Sequence, residues 1–114
     1  MLKDMIEQHS ATEAVIGKCF EQAENELKKI IGYSVTPISR NAPDVRYYCV
    51  DGFFCEEIKD RPENRRRFFG SDASALTTHL IDSAIQRFAF ENQHKLNCSY
   101  DEIVEHCYSF IKDK

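Results

Sequence analysis

Hydrophobic residues recur at helical spacing in the first third of the chain. The Ser10-Ala11-Thr12-Glu13 segment has the form of a capping box, and Gly32 suits a left-handed cap at the other end. The pattern therefore predicts a helix that begins near Ser10, with residues 2–6 forming either a short helix before it or an extension of it. Steps of three and four place these apolar positions on one side of that helix: Ile16, Phe20, Ala23, Leu27, Ile30 and Ile31.

Alternating aromatic and β-branched residues in the middle of the chain predict a β-hairpin. The runs 45–50 and 53–58 flank Asp51-Gly52, a favoured two-residue type I′ turn. With Val50 opposite Phe53, the more apolar face, which is expected to meet the helices, carries Val45, Tyr47, Cys49, Phe54, Glu56 and Ile58. The other face carries Arg46, Tyr48, Val50, Phe53, Cys55 and Glu57, and Arg46 and Glu57 are expected to pair across the strands.

Two segments beside the hairpin are less regular. Residues 33–39 have strand propensity, but Pro37 lacks an amide donor, so this strand is expected at a sheet edge. Residues 59–70 are rich in charge and are expected to form a loop, here called the arginine loop.

Two helices are predicted in the last third of the chain. Ser71 or Asp72 caps the first, which carries a wide apolar stripe over 73–88, and Ser99-Tyr100-Asp101-Glu102 is a capping box for the second. We therefore expect one α+β domain over residues 1–114, in which helices cover a small antiparallel β-meander of two or three strands. The stripe over 73–88 leaves open whether all of it is core or part of it is a homodimer seam.

The charge balance is acidic but uneven. Nineteen Asp and Glu residues stand against 15 Lys and Arg, a net charge of -4. The segment 59–70 holds five basic and two acidic residues, a net +3, which leaves -7 for the rest of the chain. A negative surface argues against a broad nucleic-acid-binding face and is compatible with a basic protein partner.

Hydropathy and cysteine usage indicate the compartment. No apolar run approaches the roughly 18 residues that span a bilayer, and residues 1–10 lack the apolar core of a secretory signal. The five cysteines are odd in number and irregularly spaced, which favours reduced thiols. We therefore expect a cytoplasmic protein with no membrane contact.

Catalytic and cofactor-binding motifs are not found in the sequence. The four histidines and five cysteines lack zinc-site spacing, and no phosphate-binding glycine loop or nucleophile motif occurs. Cys98, four residues after His94 and just before a predicted helix cap, is the best-placed thiol for a nucleophile, although a half-buried thiol at a helix junction is far more common. We therefore expect no enzyme activity, no metal and no cofactor.

The arginine loop has three interpretations. It is a structural connector whose phenylalanines anchor the next helix, a protein contact, or a nucleic-acid contact that uses guanidinium groups and stacked rings. By analogy of size and charge, the chain is expected to be a small acidic binding protein that neutralises or regulates another protein, such as an immunity protein or inhibitor encoded by a phage or mobile element. The expected partner-binding residues, chosen as aromatic and arginine side chains, are Tyr47, Tyr48, Phe53, Arg65, Arg66, Arg67, Phe68 and Phe69. The alternative is a nucleic-acid-associated regulator that uses the segment 65–69.

Overall fold

The chain folds as the α+β domain that the pattern predicts. The computed structural model describes residues 2–39, 44–59 and 64–111, with the side chains of all of these except 2–12 and 64. An N-terminal helix precedes a three-stranded antiparallel sheet, and two helices follow it. The elements are α1 (Leu2–Leu27), β1 (Val45–Val50), β2 (Phe53–Lys59), β3 (Asn64–Gly70), α2 (Ala73–Asn92) and α3 (Tyr100–Ser109).

Helix α1 is longer than the capping box indicates. It begins at Leu2, so Ser10 lies inside the helix and is not its first residue, and of the two alternatives for residues 2–6 the extension of the same helix is confirmed. Residues 2–9 are mostly good helix formers, and no glycine or proline interrupts them, so the helix continues through a segment that also fits a cap. Gly32 does adopt the left-handed conformation, with φ at 96°, but it lies beyond a turn that follows the helix end at Leu27.

The third strand is not the one that strand propensity indicates. Residues 33–39 form no strand and run as irregular backbone beside α2, where the Thr36 carbonyl accepts a hydrogen bond from Arg87 Nη2 at 3.1 Å. The segment 59–70, which was expected to be a loop, is strand wherever the structure describes it. Lys59 is the last residue of β2, and residues 64–70 form β3. Three consecutive arginines are a composition typical of a loop. They are nevertheless tolerated on an edge strand, where charged side chains reach solvent and discourage edge-to-edge association.

The hairpin has the register that the sequence predicts. Val50 lies opposite Phe53, and the pairing continues to Val45 opposite Ile58. Asp51 and Gly52 have φ angles of 51° and 83°, the two positive values that a type I′ turn requires. The central strand β2 also pairs with β3, with Cys55 opposite Phe68 but Phe54 opposite Gly70. Phe69 is therefore an extra residue, which makes a β-bulge.

Capping side chains begin the two C-terminal helices. Asp72, rather than Ser71, caps α2, because its Oδ1 accepts a hydrogen bond from the Ser74 amide at 2.9 Å. The predicted capping box of α3 is confirmed, with the Ser99 hydroxyl and the Glu102 carboxylate each accepting a backbone N–H of the other residue. These caps satisfy donors that the first helical turn leaves without partners.

The core lies between the helices and one face of the sheet. As expected, the more apolar hairpin face meets the helices, and the ring of Tyr47 packs edge-on against Phe20 with 5.1 Å between centroids. Most of the apolar stripe of α2 packs into this core, so little of the stripe remains exposed for a homodimer seam. Buried positions of α2 are Leu76, Leu80, Ile81, Ala84, Ile85 and Ala89.

Candidate functional site

The sheet face that points away from the core keeps large side chains in contact with solvent. Phe68, Phe53 and Val50 are 55%, 50% and 38% exposed. Exposed apolar side chains that cluster on one surface are typical of interaction sites. We call this surface the open face, and it consists of Arg46, Tyr48, Val50, Phe53, Cys55, Glu57, Arg66 and Phe68.

Cross-strand pairing arranges the open face in rows. Glu57 lies opposite Arg46 on one side and opposite Arg66 on the other, which makes the arginine row. Cys55 lies in the same way between Tyr48 and Phe68, which makes the aromatic row. The pair of Val50 and Phe53 completes the face beside the hairpin turn. The face is therefore cationic at one end and apolar at the other.

The arginine row hides its carboxylate and exposes its cations. Arg46 Nη2 donates to Glu57 Oε1 at 2.8 Å, which confirms the predicted cross-strand pair, and Arg66 Nε lies 3.6 Å from Glu57 Oε2. The side chains of Arg46 and Arg66 are 63% and 58% exposed, whereas that of Glu57 is 5% exposed. The Arg46 guanidinium also lies 4.8 Å from the centre of the Tyr48 ring, a cation–π contact. An approaching molecule therefore meets two guanidinium groups with a fixed carboxylate beneath them.

The aromatic row has a buried thiol at its centre. Cys55 is 1% exposed, although it belongs to the outward face, and it lies on the central strand between Tyr48 and Phe68. Two neighbouring strands thus hold the centre of the face on both sides, while Phe68 and Phe53 remain outside the core. This arrangement gives a sheet surface with a doubly paired central strand and accessible rings.

A hydrogen-bonded network ties the other side of the sheet to α2. Glu56 Oε2 accepts from the Tyr47 hydroxyl at 2.6 Å and lies 2.9 Å from His79 Nε2. Arg67 Nη1 lies 3.4 Å from His79 Nδ1, and the Phe69 ring packs on the imidazole at 4.6 Å. Because a guanidinium can only donate, His79 fits this network with the proton on Nε2.

Burial and hydrogen bonds oppose each other in this network. Burial raises the pKa of the Glu56 carboxyl, but the hydrogen bonds from His79 and Tyr47 favour its ionised form, and its pKa falls below the usual range. Burial, together with the bond to Glu56, raises the pKa of Tyr47 well above the ordinary value. The carboxylate and the neutral phenol therefore form a stable pair at neutral pH.

The expected partner-binding residues divide between the two sides of the sheet. The open face holds Tyr48, Phe53, Arg66 and Phe68. The helix-covered side holds Tyr47, Arg65, Arg67 and Phe69. Tyr47 is 6% exposed and belongs to the core, whereas Arg65 and Arg67 are exposed at the sheet edge. Only the first group forms a shared surface with the exposed rings.

The expected site set omits several residues of these surfaces, among them Arg46, Glu57 and His79. Arg46 and Glu57 were expected to pair, and the hairpin register already placed them on the face with Tyr48 and Phe53, so the signal was present. His79 gave no comparable signal, because its contacts with Glu56 and Arg67 depend on how α2 packs against the sheet.

Cys98, the expected best nucleophile, is partly buried, and its Sγ donates to the Leu96 carbonyl at 3.4 Å. Within residues 2–39, 44–59 and 64–111, no group of three or more His, Cys, Asp or Glu side chains could hold a metal ion. In that same part of the chain, none of the helices has the length and apolar character needed to cross a bilayer.

Comparisons with protein-family models, curated proteins and solved structures found no significant match. The open face itself is therefore the basis on which a function is argued.

Proposed function

We propose that this chain is a small acidic protein that binds another protein through the open face and thereby neutralises or regulates it. The observation that carries the proposal is the cluster of exposed apolar side chains, Val50, Phe53 and Phe68, beside the guanidinium groups of Arg46 and Arg66. Aromatic and arginine side chains are enriched where protein interfaces concentrate their binding energy. The immunity-protein or inhibitor type, from a phage or mobile element, is part of the proposal on the analogy of size and charge.

The pairing of the strands beneath the open face supports a binding role. The central strand β2 is paired on both sides, and the turn at Asp51-Gly52 fixes the register of its partner. A partner that docks on such a surface does not have to order its backbone, so less of the contact energy is lost to conformational entropy. A sheet face with exposed aromatic groups is therefore a suitable contact surface.

A nucleic-acid role is the second candidate, because Phe53 and Phe68 lie on a sheet face with arginines beside them. Exposed rings on a sheet can stack on the bases of a single strand, and guanidinium groups can contact phosphates. The charges favour a protein instead: Glu57 neutralises one of the two arginines in its row, and Arg67 approaches His79 on the other side of the sheet. A net charge of -4 also opposes the long-range approach of a polyanion such as a nucleic acid.

Cytoplasmic location is part of the same proposal. All five cysteines are free, and Cys19, Cys55 and Cys107 are buried. Free thiols of this number support a reducing compartment.

Site-specific photo-crosslinking tests the proposed surface. Benzoylphenylalanine replaces Phe53 or Phe68 in the full chain, and the matched control carries it at Phe90, which is 70% exposed on α2. We expect one protein of the native host lysate to crosslink at 53 and 68 but not at 90, with or without nuclease. The activity of the captured protein is then measured with and without the chain, and a change in that activity establishes neutralisation or regulation.

Other crosslinking results would change the proposal. Products that disappear with nuclease would favour the nucleic-acid candidate, and crosslinks between two copies of the chain would identify a homodimer. Identical products at 53, 68 and 90 would contradict a specific open face.

A further inference from the structure

We infer that the partner presents an acidic segment to the open face, with a carboxylate against Arg46 and Arg66 and bulky apolar side chains against Phe53 and Phe68. This inference rests on the proposed function, since it gives the chemistry of the partner at that surface. It differs from the basic partner that the overall charge of -4 favours. The difference arises because a contact depends on local charges, whereas the net charge acts mainly at long range.

The local charge of the open face is positive. The arginine row combines two cations with one anion, and the exposed groups are the cations. A guanidinium group has five N–H donors, and the Arg46 side chain remains 63% exposed while it binds Glu57, so it retains donors for a second carboxylate. A basic segment docked here would meet like charges, whereas an acidic segment would complete the arginine row.

Glu57 prepares the arginines for this contact. The hydrogen bond to Glu57 and the stack on Tyr48 restrict the rotamers of Arg46 before any partner arrives. Restricting a long side chain in advance lowers the entropy cost of binding. The buried carboxylate therefore acts as a positioning group, and its negative charge limits how tightly an acidic partner binds.

The spacing of the rows sets the spacing of the partner's side chains. Successive rows are two residues apart along each strand, which is about 7 Å. The partner's carboxylate should lie about 14 Å from the apolar side chain that meets Phe53, two rows away, and about 7 Å from the one that meets Phe68, in the next row. In a helix the shorter spacing corresponds to residues about four positions apart, and in a strand to residues two positions apart.

The test is selection of displayed random 12-residue peptides on the immobilised full chain. Peptides that also bind the Phe53→Ser/Phe68→Ser double variant are removed. We expect the remaining peptides to carry Asp or Glu at two to four positions from Leu, Phe or Trp. One synthetic peptide from the enriched set then serves as the probe for affinity measurements.

Charge variants of the chain give opposite expected effects on that probe. Arg46→Gln and Arg66→Gln should each weaken binding about tenfold, the usual scale for a lost hydrogen bond to a charged group. Glu57→Gln should tighten binding about threefold, the effect of removing one like charge at about 7 Å in water. Arg87→Gln, which changes an arginine that contacts the Thr36 carbonyl instead, should leave binding unchanged.

The Glu57→Gln result keeps the inference testable even if an arginine variant folds poorly. Glutamine retains an oxygen that accepts from Arg46, and thermal unfolding of each variant checks the fold. Enriched peptides without acidic residues, or weaker binding of an acidic probe to Glu57→Gln, would overturn the inference. If the enriched peptides lacked acidic residues but still lost binding to the Phe53→Ser/Phe68→Ser variant, the proposed function would stand without this inference. Failure to enrich any sequence dependent on the open face would overturn the inference and count against the proposed surface.

Discussion

His79 of α2 and Glu56 of β2 form a polar link between helix and sheet, with 2.9 Å between Nε2 and Oε2. The Glu56 residue is 7% exposed, so the carboxylate depends on His79 and Tyr47 for its hydrogen bonds. A buried carboxylate without such partners is strongly unfavourable. The pair therefore adds a polar contact to the apolar packing of α2 against the sheet.

This link makes stability depend on pH. Burial raises the pKa of Glu56, but its hydrogen bonds lower it more, so the folded-state pKa lies below the ordinary value of 4.5. A carboxyl with a depressed pKa contributes stability above its unfolded-state pKa and loses that contribution as pH falls through the folded-state value. We expect the free energy of unfolding to fall below about pH 5, and to fall less in Glu56→Gln.

Urea unfolding between pH 3 and pH 7 measures this difference. The helix-capping carboxylates Asp72 and Glu102, whose pKa values are lowered by hydrogen bonds from backbone amides, remain in both proteins, so comparing the two isolates Glu56. Parallel pH dependences for the wild type and Glu56→Gln would contradict the role given to this carboxylate.

Removing the histidine tests the same link at neutral pH. His79→Ala leaves Glu56 with one hydrogen bond fewer in a buried position and should lower the free energy of unfolding by about 1–3 kcal/mol. His79→Gln retains an N–H donor and should recover part of the loss. Equal stability of the alanine and glutamine variants in chemical denaturation would argue against the hydrogen bond.

Two adjacent phenylalanines are expected to have different roles, one in the stability of the fold and the other in binding. Phe69 is the extra residue of the bulge and packs on His79, whereas Phe68 is 55% exposed on the open face. We expect Phe69→Ala to lower the free energy of unfolding by about 2–3 kcal/mol and Phe68→Ala to change it by about 0.5 kcal/mol or less. Denaturant unfolding measures both, and each variant serves as the control for the other. A larger loss in Phe68→Ala would mean that its ring supports the fold.

The hairpin was predictable because its signals are local. Asp51 and Gly52 set the turn, and strict alternation then assigns every side chain from Val45 to Ile58 to a face. The Arg46–Glu57 pair follows from that register alone. The rows of the open face extend the same register by one strand.

The third strand was not predictable from local pattern. Residues 64–70 carry three charged side chains in succession, a composition typical of a loop, and they become a strand because β2 offers an edge to pair with. Residues 33–39 have better strand propensity, but they contact α2 through Thr36 and Tyr33 instead. Tertiary pairing therefore decided both segments, as it often does for strand propensity.

Thiol reactivity distinguishes a structural from a catalytic role for the cysteines. Cys49 and Cys98 are partly exposed, while Cys19, Cys55 and Cys107 are buried, and burial raises the pKa of the Cys107 thiol. We expect iodoacetamide to label Cys49 and Cys98 in the folded protein and the other three only after unfolding. Peptide mass spectrometry gives the order of labelling. Selective labelling of Cys98 far faster than Cys49 would favour the thiol-enzyme interpretation.

The arginine row offers a test of how much its ion pairs stabilise the fold. Arg46→Ala removes the closer partner of the buried Glu57 and leaves Arg66 at 3.6 Å. Because Arg46 itself is largely exposed and Arg66 remains, we expect a loss of only about 1–2 kcal/mol in the free energy of unfolding. Arg46→Ala combined with Glu57→Gln should cost less than the sum of the two single changes, since the buried charge that needs a partner is gone. Denaturant unfolding of the four proteins measures the coupling, which high salt should weaken only slightly because Glu57 is buried. Additive effects would show that Arg46 and Glu57 are neighbours without an energetic link.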